Sequence, residues 1–70
     1  MNDEFDSEEA IRGRIATLRT EHQDLDAAVS ALETARQPDM IRIARLKKRK
    51  LVLRDQIADL EDRLTPDIIA

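Results

Sequence analysis

"IRIARLKKRKLVLRDQIADLEDRL", residues 41–64, carries two patterns at once. One is a basic run: Arg42, Arg45, Lys47, Lys48, Arg49, Lys50 and Arg54 fall within 13 positions. Such runs are often read as nucleic-acid arms. The other is a seam: Ile43, Leu46, Lys50, Leu53, Ile57, Leu60 and Leu64 follow one another at steps of 3, 4, 3, 4, 3 and 4. Alternating steps of three and four keep one face of a helix apolar, whereas a strand needs a sustained step of two. The segment is therefore a helix first, and its charges belong to the faces that the seam leaves over.

Working back toward the N-terminus, a second seam appears. Ile11, Ile15, Leu18, His22, Leu25, Val29 and Leu32 step by 4, 3, 4, 3, 4 and 3. The segment "DSEE" precedes it, with Asp6 as an N-cap and Glu9 completing a capping box. Glu8 and Glu9 sit where the helix dipole favours anions. Gly13 falls on the outer face and costs the helix about 1 kcal/mol relative to Ala. Between the seams lies "ARQPDM", where Pro38 cannot continue a helix but suits the first turn of a new one. At the far end Pro66 discourages helix at Thr65. The spacing predicts an acidic arm over residues 1–6, a first helix over about 7–35, a turn at about 36–38, a second helix over about 39–64, and a short tail over 65–70.

A short connection between two helices makes them antiparallel neighbours. Such a hairpin requires facing positions to have a constant sum. Ile11 with Leu64 adds to 75, and so do Ile15 with Leu60, Leu18 with Ile57, His22 with Leu53, Leu25 with Lys50, Val29 with Leu46, and Leu32 with Ile43. The fold class is all-α: an antiparallel, coiled-coil-like two-helix hairpin. A chain of 70 residues with no Cys and a single His has neither disulfides nor a metal cage to support so small a core. Association into a dimeric four-helix bundle is the expected remedy.

The hairpin sets residues 42–54 beside 21–33, which carry Glu21, Asp24, Asp26 and Glu33. Seven cations against four anions leave about three unmatched. Asp26 with Lys47, and Arg12 with Glu61, occupy flanking positions where charges can be exchanged, while Arg19 and Arg54 fall as like-charged neighbours. His22 and Lys50 occupy seam positions normally given to apolar groups, a pattern that fixes register at some cost in stability. Asp26, one turn after His22, is placed to receive either side chain. The polar residues of the seam and its edge are thus His22, Asp26, Lys47 and Lys50. A pH-sensing role for His22 is a minor alternative.

Met40, Ile41, Ala44, Leu51 and Val52 lie off the seam. Met40, Ala44, Leu51 and Val52 are the candidate self-association residues, suited to packing against a second hairpin. Arg45, Lys48 and Arg49 form the candidate nucleic-acid face. A net charge of −3 and the lack of any aromatic other than Phe5 count against that use. Nothing supplies a nucleophile beside a base, a phosphate loop or a metal cage, so no enzyme activity, cofactor or metal is expected. No apolar stretch approaches the roughly 20 residues of a membrane span, and no signal-peptide pattern opens the chain. Both point to a cytoplasmic protein without a membrane partner.

The strings "LRTEHQDLDAAVSALE" and "IARLKKRKLVLRDQIADLE", joined by a turn containing "PD", resemble the YdcH-like small bacterial proteins. His22, Leu25 and Asp26 fill the family's H-x-x-L-D pattern. Leu46, Lys47, Lys50, Leu51, Leu53 and Asp55 fill its L-K-x-x-K-L-x-L-x-D pattern. The likeness covers about residues 11–62. It implies a short bacterial helical hairpin prone to coiled-coil association, and it implies no activity. The expected function is that of a non-enzymatic interaction or adaptor hairpin, a homodimer with a further protein partner not identifiable from sequence. The alternative is a small nucleoid-associated or RNA-binding protein.

Overall fold

The computed structural model describes residues 7–64. They form two helices, α1 over Glu8–Glu33 and α2 over Met40–Leu64, packed against each other, with no strand among the described residues. The acidic arm, the Asp6 cap and the Pro66 stop expected from sequence lie outside these residues.

α1 starts at Ser7, whose extended backbone and side chain cap it: Oγ accepts the Ala10 amide at 3.0 Å. The third residue after the cap is thus Ala10, and Glu9 is not in position to close a capping box. The expectation from "DSEE" was one residue out because aspartate and serine are equally good caps, and sequence does not choose between neighbours. Glu8 and Glu9 occupy the first turn, and Glu8 accepts from Arg12 one turn on at 2.7 Å.

α1 ends without a glycine. The Thr34 amide donates to the Ser30 carbonyl at 3.2 Å, and its hydroxyl donates to the Ala31 carbonyl at 3.1 Å. Residues 34–39 make the connection, a longer link than the three-residue turn expected. Asp39 rather than Pro38 opens α2: its carboxylate accepts the Arg42 amide at 3.1 Å and its carbonyl accepts the Ile43 amide at 3.0 Å. Pro38 sits one residue before this cap instead of inside the first turn. The carboxylate satisfies an amide that would otherwise lack a partner, which proline's fixed φ does not do.

Three ion pairs join α1 to α2: Arg19 with Glu61, Asp26 with Lys50, and Glu33 with Lys47. As one number rises the other falls, so the helices run antiparallel. The core between them is Ile11, Ile15, Leu18 and Val29 from α1 with Ile43 and Leu53 from α2. Every other seam position is half-buried, His22 and Lys50 included. Among the described residues only Ala28 and Glu61 leave solvent to a similar degree without belonging to a seam. Leu53, fully covered, lies near the middle of α2. Removing one such apolar side chain costs about 2–5 kcal/mol, a large share of what so thin a core supplies.

Candidate functional site

The polar residues of the seam converge on one flank of the hairpin. Lys50 is carried into the seam by the heptad spacing and keeps only 24% of its side chain exposed. Its Nζ donates to Asp26 Oδ1 at 2.6 Å. This hydrogen bond, and then the ammonium charge, hold the Asp26 carboxyl below its ordinary value of 3.8, with a smaller contribution from His22. Asp26 therefore turns to Lys50, and His22 makes no hydrogen bond among the described residues. His22 instead borders a shallow open depression with Arg19, Arg54 and Glu61.

Lys47 pairs with Glu33 at 3.0 Å rather than with Asp26, and Arg12 pairs with Glu8 inside α1 rather than with Glu61. Arg19, set beside Arg54 by the sequence arithmetic, finds Glu61 instead. The flanking pairs Arg19–Glu61 and Glu33–Lys47 each add to 80, whereas the expected Asp26–Lys47 and Arg12–Glu61 each add to 73. Side-chain direction favours the larger sum. Long helical side chains lean back toward their own N-terminus. In antiparallel helices two such chains approach each other when their sum is larger than that of positions lying level. The shift also leaves fewer acids for the basic run. Among the described residues only Lys47 and Lys50 of its seven cations reach a carboxylate. Arg42, Arg45, Lys48, Arg49 and Arg54 have no ion pair among the described residues.

The outward side of α2 carries the large apolar groups left in solvent. Met40 is 67% exposed, Ile41 70%, Leu51 57% and Val52 39%, and α1 exposes none of that kind among the described residues. Ala44 is exposed in the same helix. Arg45, Lys48 and Arg49 are exposed among them. The proposed self-association and nucleic-acid residues thus share one helix. Sequence ranks self-association first on net charge and aromatic content, but how much of the basic run the hairpin neutralises had to come from the structure.

Among the described residues no three His, Cys, Asp or Glu side chains are grouped as a metal would require. No helix among the described residues is long and apolar enough to cross a membrane. The described residues thus define a small helical hairpin in which α2 exposes large apolar and basic side chains together. Residues 15–61 match the family described as "Protein of unknown function (DUF465)". The chain belongs to that family, which includes the YdcH-like proteins it resembles. No curated protein and no solved structure matches the chain.

Proposed function

We propose that the protein is a non-enzymatic interaction hairpin that associates with itself through α2. The supporting observation is the exposure of Met40, Ile41, Leu51 and Val52 on a chain whose core is only two helices thick. Single surface apolars need no account, but four on one helix mark a contact surface. Sedimentation equilibrium tests the reading. The wild-type chain is expected to exceed monomer mass at micromolar concentration, and Leu51→Asp is expected to move it toward monomer with helicity retained. A wild-type mass equal to the monomer throughout the micromolar range contradicts the reading.

A second reading, nucleic-acid binding, draws on Arg45, Lys48 and Arg49, which are exposed and have no ion pair among the described residues. Binding of that kind weakens steeply as salt rises. Retention of the chain on duplex DNA at low salt, released by moderate salt and abolished by Lys48→Glu, favours it; no retention at low salt removes it.

A further inference from the structure

We propose that the outer face of α2 pairs with the same face of a second copy, the two α2 helices running antiparallel about a two-fold axis beside Leu51 and Val52. The inference rests on the self-association reading and adds its geometry.

The face opposite the α2 seam divides by charge. Arg45 and Lys48 lie on its turn-ward half, and Asp55 and Asp59 on the half beyond. Leu51 and Val52 stand between the halves, next to the midpoint of Met40–Leu64. All six residues are exposed. They recur three or four residues apart, so one helix face presents them together. The order reads cation, cation, apolar pair, anion, anion.

A face with that order complements itself only when reversed. With the axis between Leu51 and Val52, Leu51 of each copy meets Val52 of the other. Lys48 starts level with Asp55 of the second copy and leans toward its own N-terminus, so Asp55 and Asp59 of the second copy flank its ammonium. Arg45 faces Asp59 of the second copy within one residue. The two-fold repeats each contact, as an isologous interface requires. Parallel pairing would stack Lys48 on Lys48 and Asp55 on Asp55.

Three of these four charges have no ion pair among the described residues. Asp59 touches Arg63 one turn on at 3.4 Å, the longest ion pair among the described residues. α1 offers acids to the basic half of α2 but no exposed large apolar group among the described residues to cover Leu51 and Val52. A polyanion suits the face poorly, because half of the face is acidic and its centre is apolar.

The test is a charge-exchange cycle on the full chain, read by sedimentation equilibrium in about 50 mM salt, where screening is weak. Lys48→Glu and Asp55→Lys each place like charges together twice per dimer. Each is expected to raise the dimer Kd roughly tenfold. Carrying both substitutions in one chain is expected to restore the wild-type Kd. Mixing the two single variants is expected to give a heterodimer tighter than either homodimer. If the single variants weaken the dimer and neither the double variant nor the mixture recovers it, the antiparallel geometry is wrong. If the wild type dimerises and the single variants match it, the α2 pairing falls while self-association stands. If the wild type is monomeric, both fall. Circular dichroism checks that each variant stays helical. Lys48→Gln and Asp55→Asn repeat the cycle with smaller expected effects should a reversal unfold the hairpin.

Discussion

At the scale of the residue, Lys50 decides how the seam is read. Its ammonium leaves the half-buried position to reach Asp26 at 2.6 Å, so the charge is satisfied at the edge and the methylenes stay in the seam. Leucine would extend the apolar contact there and give up only a solvent-screened pair with an exposed carboxylate. Lys50→Leu is therefore expected to raise the melting temperature by several degrees; a fall of that size would show that the ion pair is a net stabiliser. The same contact has a pH signature. Asp26 is held below 3.8 in the folded chain, so its contribution is present above that value and is lost as pH falls through the lower, folded one. Urea unfolding of the wild type and of Asp26→Asn should accordingly differ above pH 4 and converge below it. A gap that does not narrow as pH falls would assign the stabilisation to something other than the carboxylate charge. The presence of Lys50 in the seam was legible from spacing alone. Its choice of Asp26 over solvent was one of two outcomes the sequence left open, because a lysine stem can point either way.

At the scale of the element, the helices owe their ends to side chains, and single substitutions should expose this. Ser7→Ala and Asp39→Ala each remove an acceptor from a first-turn amide and are expected to cost about 1 kcal/mol in denaturant unfolding. Loss of nothing at Asp39 would mean that Pro38 itself fixes the start of α2. Gly13 lies inside α1 with open space around the place a methyl group would take, so Gly13→Ala is expected to stabilise by about 0.5–1 kcal/mol. Unchanged stability there would indicate that α1 frays back past residue 13. The existence of both helices was readable because fourteen seam positions repeat without a slip. Their ends were less so. Adjacent Asp6 and Ser7 compete for one cap, and a helix that stops on threonine carries no glycine to announce it.

At the scale of the molecule, the antiparallel arrangement followed from one constant sum of 75, but two of the three ion pairs between the helices add to 80. Sequence positions count along the axis, whereas arginine, lysine and glutamate reach several ångströms along it, each toward its own N-terminus. Residue number alone therefore misplaces flanking charges. That difference leaves five cations of the basic run unpaired among the described residues, so exposed basic and apolar groups gather on α2. Which occupant that surface takes was not readable from periodicity, since the exposed apolar and basic residues interleave.

One chain folds back on itself at residues 34–39, and a distance across the open end of the hairpin tests this most directly. Gly13 and Asp62 are both exposed near that end, on α1 and α2. Spin labels on Gly13→Cys and Asp62→Cys, diluted with unlabelled chain, are expected to lie roughly 20–30 Å apart, the spacing of packed helices plus the label arms. A single continuous helix would separate the same positions by about 74 Å. A distance near that longer value would contradict the hairpin and every ion pair assigned between its helices.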